Sequence, residues 1–270
     1  MEITARAKAA AERGEQYSLG KILGIWALAA VPMGILSWVV SPVLSPADPF
    51  GATVTRFVLI TIGLIWLFVL SMIIVRQEEG DLRWATIKRR LRLNAPRDPN
   101  TSETRRRLWL WVIPFLIAIA VWEVALKSYA DNLWVAIFPF LAEPPGYSMA
   151  AVFQSQEILN RLVGAWWFFG LFLVEAVFNT ILGEEFLFRG VLLPKMEGVF
   201  GRWSWVANGL LHAFYHLHQP WGIAASVVSC VFLYAFPGWR FRSTWLGIIV
   251  HSAQSVYFAF LVLGVVLGLA

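Results

Sequence analysis

The sequence predicts an all-α fold: a polytopic membrane helix bundle of about seven transmembrane helices plus a cytosolic amphipathic segment. Three observations lead there. Of the 270 residues, 59% are hydrophobic and only 14% charged, whereas a soluble domain carries about 45–50% and about 25%. Apolar runs long enough to cross about 30 Å of hydrocarbon, which takes about 20 helical residues, recur along the chain. The Lys and Arg residues gather in alternate flanks of these runs, as the positive-inside rule requires. The net charge of +5 is therefore read as topology, so the expected partner is membrane lipid and not nucleic acid. The single Cys230 rules out an intrachain disulfide and reads as a small buried hydrophobe.

The first 19 residues are polar, and the run after them is long enough to span and lacks a clear cleavage site. The N-terminus is expected to stay in place as a short cytosolic helix or tail. Spans are expected at 21–41, 53–75, 108–126, 162–183, 203–219, 222–238 and 244–268, with only Pro220, Trp221 and Gly222 separating the fifth from the sixth. Segment 76–107 is the one substantial hydrophilic insertion, and in it Leu82, Ala85, Ile87, Leu91 and Leu93 interleave with Lys88, Arg89, Arg90 and Arg92. It reads either as a basic helix lying on anionic headgroups or as a solvated linker that fixes topology. Residues 127–161, with Pro139, Pro144, Pro145 and Gly146, read as an interfacial loop anchored by Trp134, Phe138, Phe140 and Tyr147. Seven spans with the N-terminus inside place 19 of the 22 Lys and Arg residues on the cytosolic side, Arg6, Lys8 and Arg13 among them, and leave Arg56, Lys127 and Arg161 outside. The expected setting is the plasma (inner) membrane, N-terminus cytosolic and C-terminus outside. Residues 1–160 then supply N-terminal helices and the basic loop, and residues 161–270 carry the chemistry.

Three polar clusters interrupt the apolar C-terminal half. A charge near mid-bilayer costs roughly 2.5 to 3.5 kcal/mol on insertion scales, so such groups are suspected of function. In the first cluster Arg189 stands four residues after Glu185, the favourable order for a helical ion pair, while Glu184 points about 100° away and finds no base on its own helix. Glu185 is thereby neutralised, and Glu184 is left free to bind a proton, a water or a metal, the setting of a general base. In the second cluster Asn208, His212 and His216 form a stripe, and His218 shares its face only if the helix unwinds before Pro220. In the third, Gln254 and Ser255 share a face with His251, and together they could hold a developing oxyanion. Glu175 and Asn179 share a face opposite Glu184 and, with Glu123, read as packing or water-cavity groups.

Residues 165–260 resemble the CPBP family of intramembrane proteases, which includes CAAX prenyl endopeptidases and bacterial members tied to bacteriocin immunity. Glu184-Glu185-x-x-x-Arg189 matches the family's first motif completely. The second, Phe-x-x-x-His, is met either by His212-x-x-x-His216, with His212 in place of Phe, or by Phe214-x-x-x-His218. The third, His-x-x-x-Asn, begins at His251 and has Ser255 where the family carries Asn. The resemblance implies that Glu184 activates the attacking water beside His216, with His218 as the alternative, and that His251 stabilises the oxyanion with Ser255 or Gln254. Glu185 and Arg189 would hold the first motif in shape.

The expected activity is cleavage of a peptide bond near the cytosolic face, in a peptide or membrane protein, lipidated substrates included. No cofactor is expected to be required; zinc is the alternative, with Glu184, His216 and His251 as its ligands. A rival reading is a non-enzymatic immunity or assembly factor with an inherited inactive site, for which the Ser255 and His212 departures speak. It predicts that Glu184→Gln leaves biological function intact. A proton-coupled transporter is a third reading, against which stands the absence of a visible inverted repeat.

Overall fold

The computed structural model describes residues 15–144, 147 and 155–269. The expected N-terminal helix or tail, with Arg6, Lys8 and Arg13, and the loop residues Pro145 and Gly146 lie outside the described residues. Among those described there is no β-strand. Six helices are long and apolar enough to cross a membrane: α1 (Leu19–Leu44), α2 (Pro49–Glu79), α4 (Arg106–Ile137), α5 (Trp166–Lys195), α7 (Pro220–Arg240) and α8 (Thr244–Val266). Two shorter ones, α3 (Trp84–Arg90) and α6 (Ser204–Tyr215), lie between α2 and α4 and between α5 and α7 along the chain. Local signals set their ends. The Asp48 carboxylate accepts from the Gly51 amide at 2.8 Å with Pro49 beside it to open α2, and Gly80 at φ 82° closes it.

The expected fifth span differs from the others. Its helical part, α6, has 12 residues, about 18 Å at 1.5 Å per residue and short of the hydrocarbon thickness. The chain nevertheless traverses the bundle, because it unwinds after Tyr215 and continues as coil to Pro220. Backbone carbonyls freed by unwinding would be costly in a lipid setting, and here side chains take them up. The Trp38 indole donates to Leu217 O at 2.8 Å, Arg56 to His218 O at 3.1 Å and the Trp134 indole to Pro220 O at 2.9 Å.

Basic segments meet at one end of the bundle. Tyr17 N donates to Lys195 O, Arg97 N to Phe241 O and Thr244 N to Arg92 O. Neither sequence reading of segment 76–107 describes α3 fully. Arg90 turns inward, its guanidinium bonding Gly190 O at 3.0 Å, the Tyr17 hydroxyl at 2.9 Å and Glu78 at 2.8 Å. Leu91 and Leu93 behind it are buried, while Trp84, Lys88 and Arg89 stay exposed. The segment is thus docked onto the C-terminal end of α5 through Arg90, Leu91 and Leu93, while Lys88 and Arg89 keep its outer face basic. One apolar cluster joins Ile22 and Met33 of α1, Leu67 of α2, Leu91, and Leu187 and Leu192 of α5, so helices from both sides of residue 160 share a core. The exterior is apolar as well: Val43, Ile62, Ile117, Val124, Phe232 and Phe260 all face outward, which in a membrane is the surface lipid covers.

Candidate active site

The first polar cluster is positioned by a change of winding in α5. The helix is an ordinary α-helix over Trp166–Val177 and then runs as π turns over Phe178–Gly183 and Phe186–Leu192. Such turns are uncommon and frequent at functional sites. Gly183 permits this one, since a Cβ there would lie 2.7 Å from the Leu64 carbonyl oxygen of α2. Wider turns use less rotation per residue, so the helix phase slips. Glu175 and Glu184, expected on opposite faces, consequently open on the same cavity.

Glu184 is buried, but it does not lack a partner. Its Oε2 lies 2.7 Å from His212 Nε2, and His212 Nδ1 lies 2.6 Å from a guanidinium nitrogen of Arg189. A guanidinium can only donate, so His212 Nδ1 is the acceptor and its Nε2–H donates to Glu184. His212, which the sequence reading placed in support, therefore makes the direct contact. The stripe argument found the correct helix face, and depth along it selects His212 over His216. Phe188 stacks on the His212 ring with centroids 4.2 Å apart.

His216 and His251 stand further off. His216 Nε2 is 3.9 Å from Glu184 Oε1, and His251 Nε2 is 4.0 Å from Glu184 Oε2. His216 donates from Nδ1 to the His212 carbonyl at 3.1 Å. His251 Nδ1 faces Glu185 Oε1 at 3.2 Å, and its ring stacks on Tyr234, a contact for which the sequence offered no signal. With Glu185 ionised, both imidazoles present a bare Nε2 lone pair toward Glu184. Arg189 Nε approaches Glu185 Oε2 at 3.5 Å, an ion pair with neither side chain exposed. A further Arg189 nitrogen donates to Cys230 O at 3.3 Å.

Glu184, His212, His216, Tyr234 and His251 line one cavity of about 330 Å³, together with His218, Gln254, Ser255, Cys230, Glu123, Lys127, Glu175 and Asn179. His218 reaches it because the chain unwinds after Tyr215. Glu184, His216 and His251 have the donor types that would hold a divalent metal: one oxygen of the carboxylate lies 3.9 Å from His216 Nε2 and the other 4.0 Å from His251 Nε2, and each imidazole is oriented by an acceptor behind it, the usual support of a ligating histidine. A second grouping, His212, His216 and Cys230, brings potential ligand atoms within 4.8 Å of one another. It fits poorly, since His212 has its lone pair committed to Arg189 and its proton to Glu184.

Residues 164–257, about a third of the chain, match the family model for type II CAAX prenyl endopeptidase Rce1-like proteins. No curated protein and no solved structure matches the chain. The matched stretch contains both carboxylates of the first motif and all four histidines, and the chain carries, over residues 164–257, an Rce1-like domain of the CPBP/CAAX protease family.

Proposed function

We propose that the protein is an intramembrane endopeptidase in which Glu184 activates a water molecule for attack on a peptide carbonyl. One observation supports this most. Glu184 Oε2 is held by the Arg189–His212 chain, while Oε1 has no hydrogen bond among the described residues and faces the His216 lone pair across 3.9 Å. A water in that gap gives one proton to Glu184 Oε1 and rests its other on His216 Nε2. Its oxygen then bonds to the carbonyl carbon, and the proton on Glu184 passes to the leaving amine as the C–N bond breaks. Gln254 and Ser255, which line the cavity without side-chain hydrogen bonds among the described residues, supply donors to the oxyanion, and His251 does so only as the doubly protonated imidazolium. Zinc, if bound, would be held by Glu184, His216 and His251 and would supply Lewis acidity at the same place.

The basic end is assigned to the cytosol, with the C-terminus on the other side of a plasma (inner) membrane. Glu184 precedes Lys195 by at most about 16 Å of helix at 1.5 Å per residue, the π turns between them rising less, and in a bilayer about 40–45 Å thick with its headgroups this supports cleavage on the cytosolic side of the midplane. Substrates are peptides or membrane proteins, lipidated ones included. The test compares peptide cleavage by the reconstituted wild type with that by Glu184→Gln and His216→Ala. Unchanged turnover in both variants sinks the enzyme reading and leaves the immunity or assembly reading in its place.

A further inference from the structure

The cavity has a second polar pole that the water-activating groups do not use. Of the carboxylates lining it, Glu123 is paired with Lys127 at 3.0 Å and Glu184 with His212 at 2.7 Å. Glu175 has no hydrogen-bond or ion-pair partner among the described residues, nor has Asn179, one turn later on the same helix and also on the cavity wall. An intramembrane carboxylate without a partner is costly, and a group that lines a cavity is available to a ligand. The surrounding wall is apolar, with Phe57, Phe168 and Phe172 beside it. Such a pocket suits a long aliphatic stem ending in a cation.

We propose that Glu175 and Asn179 form a specificity subsite for a positively charged side chain, Lys or Arg, of the cleaved peptide, an inference that rests on the endopeptidase reading above. Distance says where in the peptide that side chain lies. Nine residues of helix separate Glu175 from Glu184, at most about 13 Å at the α-helical 1.5 Å per residue, since the π turns of Phe178–Gly183 rise less. An extended peptide advances about 3.3 Å per residue, so the charge sits about four residues from the scissile bond, on the side away from the basic end.

The experiment uses the full chain in liposomes with fluorogenic peptides carrying Lys or norleucine at each position three to five residues from the cleaved bond, mapped by mass spectrometry. Expected is a preference for Lys of at least about tenfold in kcat/KM at one position. Glu175→Gln removes that preference while leaving the norleucine peptide unaffected, and Asn179→Ala weakens it. Equal loss on both peptides, or no preference at any position in the wild type, overturns the subsite. Binding of the same labelled peptides, read by fluorescence anisotropy, separates the two claims. Tighter Lys binding that depends on Glu175, in a protein that cleaves nothing, keeps the subsite and removes the protease. Cleavage abolished by Glu184→Gln, with neither turnover nor binding favouring Lys, does the reverse.

Discussion

Helices α2 and α5 are alike in length, 31 and 30 residues, and both are apolar enough to span, yet they handle their polar residues in opposite ways. From Phe57 to Val75 the buried polar side chains of α2 are Thr61 and Ser71, and each hydroxyl returns to its own helix, to Phe57 O at 2.9 Å and Leu67 O at 2.8 Å. The helix is regular throughout. In α5 the Thr180 hydroxyl likewise returns to its own helix, to Ala176 O at 3.0 Å, but the charged side chains of the first motif reach outward: Glu184 to α6, Glu185 to α8, Arg189 to α6 and α7. Its winding changes where they occur. A helix that only spans satisfies its hydroxyls locally, whereas one that assembles a site sends its charges to neighbours and adopts π turns to aim them.

Substitutions that break this contrast have graded effects. Arg189→Ala strips the counter-charge from the fully buried Glu185 and the donor from His212. It is expected to cost about 3–5 kcal/mol, read as a fall in the denaturant midpoint of the detergent-solubilised protein. Next comes His212→Phe, which supplies the Phe of the His212-x-x-x-His216 reading of the second motif, keeps an aromatic ring against Phe188 and deletes the donor to Glu184. Here kcat should fall by roughly 10²-fold, in the range of a lost charge-assisted hydrogen bond, with KM and stability little changed; steady-state kinetics with a thermal melt decide it. Gly183→Ala should lose about 1–3 kcal/mol, as a methyl group must displace the Leu64 carbonyl or the π turn, and activity should drop in parallel with stability. Ser71→Ala removes only a local hydroxyl bond and should change stability by less than about 1 kcal/mol, leaving turnover intact. Strong chelators are expected to leave turnover within about twofold, because Glu184 accepts the water proton itself. Loss of activity rescued by zinc would instead assign Glu184, His216 and His251 as metal ligands.

The contrast also marks where sequence reasoning succeeds. Span lengths and the inside bias of Lys and Arg are summed quantities, and they reveal the helical bundle well. The Glu185–Arg189 pair follows from four-residue spacing, and the stripe Asn208, His212, His216 from the same periodicity. Periodicity fails where winding changes. The 100° rule put Glu175 opposite Glu184, and π turns over Phe178–Gly183 bring both to one cavity. It likewise left His218 conditional on unwinding before Pro220, and the chain does unwind, its carbonyls bonded by Trp38, Arg56 and Trp134. No pattern within one segment shows that His212 lies closest to Glu184, since that depends on how deeply α6 sits against α5. Arg90 is the same case: its charge resembles those of Lys88 and Arg89, and only docking against Gly190 separates it.

The most direct test of water activation by Glu184 is a single turnover of the reconstituted protein in ¹⁸O-labelled water, followed by mass spectrometry of product and enzyme. The account predicts one labelled oxygen in the new product carboxylate, none in Glu184, and a rate lowered by about 10²–10⁴-fold in Glu184→Gln. Label appearing in the Glu184 side chain, or an undiminished rate in the Gln variant, would contradict it.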